Sequence, residues 1–298
     1  MFWILKLLPP VVMRVLAFPI GFFFWLFAPK ARKASAVYLA RLHATVPSQR
    51  RRHSLKHILS FAIALTEKVE VWAGKFSFKQ IQFQDDDVAD LVRALEAGRG
   101  VMLMVSHLGN SELLRALADY HETGVTKPFV VNTVADFAIT SKFNALIEKI
   151  NANAMVNLID ANNIGADTII MIQERLERGE IIVISGDRVS ANTRNRFVTV
   201  PFLGKEAPFA YGSFLLAALL DVPTYFMFGL RKKDISVRPQ YNLYVKKSAV
   251  HFDCGRRERE MRIRQMVAEY AAELEAHCKQ NPYQWYNFFD FWALPTTT

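Results

Sequence analysis

Residues 101–117 read VMLMVSHLGNSELLRAL, and this stretch decides the fold class and the candidate site together. Its first five residues are apolar without interruption, which is typical of a strand that is buried on both faces of a sheet. Gly109 and Asn110 are turn residues, and the remainder has the spacing of a helix that Asn110 or the serine after it can cap. The stretch therefore predicts a strand, a turn and a helix, with His107 before the turn and Glu112 after it.

Short apolar runs and helical patterns alternate along the rest of the chain. Strands are predicted at 101–105, 129–133, 155–159, 181–185, 224–229 and 241–246. Helices are predicted at 35–74, 85–100, 111–120, 136–150, 163–178, 208–220 and 256–278. This alternation predicts an α/β fold whose central, largely parallel sheet is flanked by helices, and no domain boundary is evident after residue 80.

The N-terminal 30 residues form an apolar and aromatic segment. The uncharged run from Val15 to Pro29 is shorter than the ~20 residues of a comfortable transmembrane helix, and prolines and a glycine interrupt it. No small-residue cleavage site follows it, and basic residues do, including the cluster at 49–57. We expect residues 1–30 to be interfacial, re-entrant or a marginal span, with the cations on the cytoplasmic side. The alternative is a buried helix in a soluble protein.

The charge balance narrows the class of partner. The net charge of +9 suggests a membrane surface, a phosphorylated substrate, an acidic carrier protein or nucleic acid. No RRM, KH or zinc-finger signature favours nucleic acid. Cys254 and Cys278 form no C-x-x-C pair and are interpreted as free thiols. His53 and His57 have i, i+4 spacing but no third ligand nearby, so a solvated helix face is predicted there and not a metal site.

His107 and Glu112 suggest acid–base chemistry. They can meet if His107 lies in the turn that leaves the strand and Glu112 lies in the first turn of the next helix, at the sheet edge where ligands bind. Imidazole is a general base near neutral pH, and a carboxylate on its other nitrogen fixes the tautomer. Because no G-x-S-x-G elbow is present, Ser106 and Ser111 are interpreted as turn or cap residues, and His107 is expected to activate a substrate hydroxyl. The alternative is a core histidine and a glutamate that complements the helix dipole.

An ordered set of segments along the chain resembles one enzyme family. His107 and Glu112 match the H-x4-D/E motif of the lysophospholipid acyltransferase superfamily. The chain is more closely similar to the lauroyl/myristoyl lipid A acyltransferases, and within them to the stand-alone acyltransferases of aryl polyene loci. The matching segments are ARKASAVYLARL (31–42), SFAIALTEKVEVWAGKF (60–76), HLGNSELLRAL (107–117), ISGDRVS (184–190), VPFLGKEAPFAYGSFLLAALL (200–220) and NPYQWYNFFDFW (281–292).

The resemblance implies transfer of a fatty acyl group from a thioester, on acyl carrier protein or coenzyme A, to a hydroxyl of a membrane lipid or glycolipid. It implies that His107 is the base and Glu112 its partner, at the cytoplasmic face of the bacterial inner membrane. We expect a membrane-associated segment at 1–30 and an acyltransferase domain at 31–298, with no metal or organic cofactor and no nucleic-acid partner. The alternatives are a thioesterase or lipid hydrolase, and a non-catalytic basic protein that binds membrane or nucleic acid.

Two further residues follow the buried strand of EIIVISGDRVS and are predicted to contact substrate. Arg188 can hold a phosphate or the pantetheine of a carrier, since a guanidinium makes planar bidentate contacts. Asp187 can orient Arg188 or the acceptor. The alternative is a Gly-Asp turn with a surface arginine. Gly109 and Asn110 are also predicted to contact substrate.

PFLGKEAPFAYG supplies the remaining candidates for substrate binding. Phe202, Gly204 and Lys205 are interpreted as contacts to the acyl chain or the donor, and the alternative is a hairpin turn before a core helix. The aromatic residues of 281–292 are expected to pack or to touch lipid, without a part in the chemistry. Residues 255–264 carry mixed charges and predict a solvated helix face.

Overall fold

A seven-stranded sheet flanked by helices is the centre of the computed structural model. The structure describes residues 8–42, 47–84, 87–113, 125–126, 129–136, 157–189 and 196–294. Its helices are α1 (Pro10–Phe27), α2 (Pro29–Arg41), α3 (Arg50–Trp72), α4 (Asp87–Glu96), α5 (Ala166–Glu177), α6 (Tyr211–Leu220) and α7 (Arg256–Gln280). Its strands are β1 (Ile81–Phe83), β2 (Val101–Val105), β3 (Val131–Ala135), β4 (Leu158–Asp160), β5 (Ile181–Ser185), β6 (Phe197–Phe202), β7 (Lys205–Ala210), β8 (Thr224–Arg231) and β9 (Tyr241–Lys247).

The strand order of the large sheet is β1-β9-β8-β2-β5-β3-β4. Strands β8, β2, β5, β3 and β4 are parallel, whereas β9 is antiparallel to β8 and parallel to the edge strand β1. Strands β6 and β7 form a separate antiparallel hairpin. The predicted α/β fold with a largely parallel sheet is therefore confirmed.

Strand β2 is buried on both faces, as its continuous apolar run predicts. Met102 and Met104 face a core that includes residues of α5, α6 and α7. Val101, Leu103 and Val105 face a second core that includes residues of α4. The sheet thus separates two hydrophobic layers, and the end of β2 lies between them.

Several predicted boundaries differ from the observed ones. The region predicted as one helix at 35–74 contains α2 and α3, with a short 3-10 turn at Pro47–Gln49 before α3. The helix predicted from residue 208 begins at Tyr211, because residues 205–210 pair with β6 instead. The predicted helices at 111–120 and 136–150 lie almost wholly outside the described residues.

Helix α1 is continuous through Pro19 and Gly21, where the sequence predicted interruptions, and it ends two residues before Pro29. Its 18 residues span roughly 27 Å, close to the thickness of a bilayer core, and its mean hydropathy is 1.9. Among the described residues it is the one helix long and apolar enough to cross a membrane. Its large exposed apolar side chains are Val11, Val12, Val15, Leu16, Ile20, Phe22, Phe23, Phe24, Leu26 and Phe27.

The opposite face of α1 packs against α3. At Gly21 an added Cβ would lie 2.9 Å from the Ala62 Cβ, so the two helix backbones approach closely. Arg14, which is buried, donates to the Val237 carbonyl at 2.6 Å and forms an ion pair with Glu70. Burial raises the pKa of Glu70 to about 7, although the Arg14 charge opposes this. Close packing and a buried ion pair therefore fix α1 to the rest of the protein.

Candidate active site

The candidate site lies where β2 and β5 end side by side. The two strands are parallel neighbours, and Val105 pairs with Ser185. His107 and Asp187 lie two residues beyond the ends of β2 and β5. The shared register therefore brings their side chains to the same edge of the sheet. The carboxyl edge of a parallel sheet is where open α/β folds bind ligands.

His107 and Asp187 make two hydrogen bonds. The His107 Nδ1 lies 2.8 Å from Asp187 Oδ1, and the His107 backbone N–H donates to Oδ2 at 3.0 Å. The carboxylate accepts from the ring, so Nδ1 carries the proton and Nε2 keeps its lone pair. The side chain of His107 is 31% exposed, and within the described part of the chain Nε2 makes no hydrogen bond. The arrangement leaves one basic nitrogen directed away from the carboxylate.

Asp187 is completely buried and accepts hydrogen bonds on both oxygens. Besides His107, the donors are the Ser185 hydroxyl at 2.8 Å, the Trp285 indole N–H at 3.0 Å and the Asn287 amide at 3.2 Å. Burial alone would raise the pKa of Asp187, but the charge that His107 carries at acidic pH, the hydrogen bonds from His107 and the Arg188 cation hold that pKa well below its usual range. Asp187 is therefore an ionised carboxylate whose oxygens are occupied by protein groups.

The surroundings of His107 favour the neutral ring. Burial is the largest cause that lowers the pKa of His107 below its ordinary 6.5, and the Arg188 cation lowers it further. Asp187 acts in the opposite direction by favouring the imidazolium. The balance keeps His107 unprotonated at pH 7, which is the form that a general base requires.

Glu112 lies just beyond the turn after β2. Its backbone N–H donates to Asn110 Oδ1 at 3.1 Å, so the Asn110 side chain closes this turn. The role of Asn110 as a helix cap stays a prediction. The carboxylate of Glu112 raises the pKa of Lys68, although burial has a larger effect and lowers it. The carboxylate that bonds His107 Nδ1 belongs to Asp187, whereas the sequence predicted that Glu112 would occupy this position. The role of Glu112 towards His107 stays a prediction.

Two serines lie close to His107. Ser106 is buried, and its hydroxyl accepts a hydrogen bond from the Leu108 backbone N–H at 3.1 Å, which confirms its turn role. Ser185, which sequence reasoning did not single out, donates to Asp187 and lies 3.5 Å from His107 Nδ1. Both contacts place Ser185 on the carboxylate side of the ring.

Arg188 contacts the C-terminal segment, defined here as residues 281–292. Its Nε donates to Asn287 Oδ1 at 2.7 Å, and its Nη2 donates to the Tyr286 carbonyl at 3.0 Å. Its guanidinium also lies 5.5 Å from the ring centroid of Phe289. Much of the guanidinium that was predicted to bind substrate therefore contacts the protein itself.

The other predicted substrate contacts have evident structural roles. Gly109 has a φ of +73°, and an added Cβ would lie 2.0 Å from the Gly229 carbonyl oxygen, so only glycine fits there. Phe202 is buried in an aromatic cluster, while Gly204 and Lys205 belong to the turn and second strand of the β6–β7 hairpin. These positions match the hairpin alternative, and their contact with substrate stays a prediction.

Sequence reasoning missed the part that the C-terminal segment plays. Its aromatic residues were expected to pack or to touch lipid, whereas Trp285 and Asn287 donate to Asp187. The prediction of a solvated face was also wrong for His57, which is fully buried between the Ser35 hydroxyl and the Trp285 carbonyl. Burial lowers the pKa of His57 to about 4, so this ring is neutral and structural.

Lys68 of α3 is a further residue that the sequence pattern did not reveal. The charges of Glu112, Asp187 and Arg188 all influence its pKa, so it belongs to the electrostatic surroundings of the site. The signal in the sequence is weak, because a single lysine in a long helix has no distinctive spacing. No group of three His, Cys, Asp or Glu side chains that could hold a metal ion occurs in the described ranges.

The site therefore consists of a neutral histidine, an ionised buried aspartate and nearby cations at the edge of a parallel sheet. No curated protein matches the chain. A model of the family described as bacterial lipid A biosynthesis acyltransferase matches residues 1–293, nearly the whole chain. The chain belongs to this family, and it is an acyltransferase.

Proposed function

We propose that the protein transfers a fatty acyl group from a thioester donor to a hydroxyl of a lipid A-like or related membrane glycolipid. The observation that carries this proposal is the neutral imidazole of His107, which Asp187 orients and whose Nε2 makes no hydrogen bond in the described residues. The family supplies the reaction class, and acyl carrier protein or coenzyme A is the proposed donor. A closer relation to the acyltransferases of aryl polyene loci stays a prediction.

The proposed reaction is a direct transfer. The Nε2 of His107 takes the proton from the acceptor hydroxyl while its oxygen attacks the thioester carbonyl carbon. The resulting tetrahedral intermediate collapses, the C–S bond breaks, and the leaving thiolate takes the proton back from the imidazolium. The products are an ester and a free thiol, and the protons and electrons balance without a metal or an organic cofactor.

Two carboxylates have separate proposed roles in this step. Asp187 holds the Nδ1 proton and stabilises the imidazolium as it forms, as its 2.8 Å contact supports. Glu112, the second residue of the H-x4-E motif, is proposed to assist His107 and to balance the Lys68 cation. Besides burial, the Arg188 and Lys68 cations lower the pKa of His107, so both charges act on the site. We propose that Lys68 helps to stabilise the negative charge that develops on the thioester oxygen.

The positions of Ser106 and Ser185, two described serines close to His107, do not fit a covalent acyl-enzyme. Ser106 is buried with its hydroxyl used in a turn, and Ser185 faces the Nδ1 side of His107, where the proton already resides. A serine nucleophile would need to reach the basic Nε2. We expect intact-protein mass spectrometry with donor alone to show no acyl adduct. A chemically competent adduct on Ser106 or Ser185 would overturn the direct route.

The proposed place of action is the cytoplasmic face of the bacterial inner membrane. Helix α1 exposes a large apolar face, and Lys30 and Lys33, both exposed, follow it directly. Cations beside an apolar helix suit an anionic lipid surface. This exposed surface supports a membrane-bound acceptor, and we propose that the donor arrives from the cytoplasm.

A turnover assay with acyl thioester and lipid acceptor tests the proposal. We expect His107→Ala to lose roughly 10²–10⁴-fold in turnover, because a positioned general base contributes that much. Circular dichroism should show that the variant retains its fold. His251→Ala, at an exposed histidine, is the matched control and should keep full activity. Unchanged turnover in His107→Ala would refute the assignment, and acyl release that needs no acceptor would favour a thioesterase.

A further inference from the structure

We propose that Asn287 and Trp285 of the C-terminal segment are positioning residues for acyl transfer, which act by fixing the Asp187 carboxylate that orients His107. The inference rests on the proposed function for its catalytic meaning. It assigns a role in the reaction to a segment whose aromatic residues were expected only to pack or to touch lipid.

The two carboxylate oxygens of Asp187 have different partners. Oδ1 accepts from the ring of His107 at 2.8 Å and from Ser185 at 2.8 Å. Oδ2 accepts from the His107 backbone N–H, from the Trp285 indole and from the Asn287 amide, at 3.0, 3.0 and 3.2 Å. The C-terminal segment thus anchors Oδ2, and this anchoring holds Oδ1 in line with His107 Nδ1.

The C-terminal segment is itself fixed against the strand that carries His107. The Tyr286 backbone N–H donates to the His107 carbonyl at 2.9 Å, and the Gly109 N–H donates to the Gln284 carbonyl at 2.8 Å. Arg188, next to Asp187, holds Asn287 Oδ1 from the other side. The segment therefore bridges the ends of β2 and β5, and its position is coupled to both residues of the pair.

Loss of the Oδ2 donors should loosen the catalytic pair without removing it. The carboxylate would remain, but it could rotate, and its hydrogen bond to Nδ1 would weaken. The ring of His107 would then sample the other tautomer, in which Nε2 cannot accept a proton. Outer-shell partners that orient histidines in metal sites typically contribute 10–100-fold, and we expect a kcat loss of roughly that size here.

Two substitutions at Asn287 separate its contacts. Asn287→Asp keeps an oxygen for Arg188 but replaces the donor to Asp187 by a second carboxylate oxygen. Asn287→Leu removes both contacts at similar volume. We expect both variants to lose kcat, with a smaller change in the KM for the acyl thioester. Asp290→Asn, at an exposed position of the same segment, is the matched control and should behave as wild type. Full kcat in Asn287→Asp would overturn the proposal.

A spectroscopic readout distinguishes positioning from a merely structural role. In protein labelled with 15N-histidine, the Nδ1–H signal of His107 is the one that disappears in His107→Ala. We expect this signal to weaken through solvent exchange in Asn287→Asp and in Trp285→Phe, which removes only the indole donor, and to persist in Asp290→Asn. An unchanged signal in both variants would overturn the proposal, even if one of them lost stability. If the signal weakened in these variants but the wild-type protein transferred no acyl group, the result would contradict the proposed function and not the positioning of His107.

Discussion

At the scale of single residues, the proposed chemistry depends on which nitrogen of His107 carries the proton. Asp187 is buried, ionised and bonded to Nδ1, so the proton resides there and Nε2 is the proposed base. Burial of the ring and the Arg188 cation lower the pKa of His107, which keeps it unprotonated under neutral conditions. Asp187 fixes the tautomer, and its proposed second role is to stabilise the cation that forms during transfer.

Asp187→Asn should reduce kcat/KM by roughly 10²–10⁴-fold and move its pH profile. In the wild type, the acid limb of kcat/KM should lie below pH 6.5, because the pKa of His107 is lowered from that value. The Asp187 charge raises the His107 pKa, so its removal should shift the acid limb to still lower pH. The pH profile of kcat/KM in both proteins is the measurement. A limb that moves to higher pH would contradict this electrostatic account.

Arg188→Lys should be impaired nearly as much as Arg188→Ala. The guanidinium bonds Asn287 and the Tyr286 carbonyl through two separate nitrogens, and one ammonium cannot reproduce both contacts. Each lost hydrogen bond to a charged group costs about 1.5–3 kcal/mol, so Tm should fall together with turnover. Arg257→Lys, at an exposed position on α7, is the matched control. Normal Tm and kinetics in Arg188→Lys would show that these two contacts are dispensable, as expected for a surface arginine.

The sequence indicated His107 as a candidate base, but it did not indicate Asp187 as the carboxylate that bonds its Nδ1. His107 follows a continuous apolar run into a turn, which is a local pattern. Asp187 follows a second such run 80 residues later, and their contact depends on β2 and β5 being neighbours. Strand order is set by long-range packing and leaves no periodicity in the sequence. The sequence therefore favoured Glu112, five residues after His107, as the partner of the histidine.

At the scale of elements, the strongly patterned segments were predicted well and the short ones were not. Strands β2 and β5 match their predicted bounds, because each is an uninterrupted apolar run. Strand β1, with three residues at the sheet edge, was missed. The β6–β7 hairpin was only an alternative interpretation, since Pro201 and Pro208 weaken the strand pattern there. Its two-residue turn uses Leu203 and Gly204, both with positive φ.

Gly21→Leu tests whether α1 is fixed to α3. A side chain at this position would collide with Ala62 and Leu59, so we expect overpacking to destabilise the protein by about 1–3 kcal/mol. The apolar character of α1 is kept, and binding to liposomes should therefore remain. Thermal unfolding in detergent and liposome flotation measure the two effects separately.

Ile20→Leu is the control for this experiment, because Ile20 is 65% exposed on the outer face of the same helix. It should change neither Tm nor flotation. If Gly21→Leu also left Tm unchanged, α1 would not be packed closely against α3.

At the scale of the whole molecule, apolar and basic surfaces indicate how the enzyme meets its substrates. The chain has a net charge of +9, and α1 presents a row of large apolar side chains to its surroundings. Composition alone left nucleic acid open as a partner for a basic protein. The family match and the apolar helix together favour a lipid surface, where the same positive charge attracts anionic headgroups.

If His107 is the base for acyl transfer to a membrane lipid, its loss should change the lipids of the cell. Lipid extracts from bacteria that carry wild-type protein or His107→Ala should be compared by mass spectrometry at matched protein levels. We expect a lipid species that is heavier by one fatty acyl group in the wild type and is absent from His107→Ala, while His251→Ala retains it. Identical lipid profiles from wild-type protein and His107→Ala, at equal levels in the membrane fraction, would refute the role of His107 in acyl transfer.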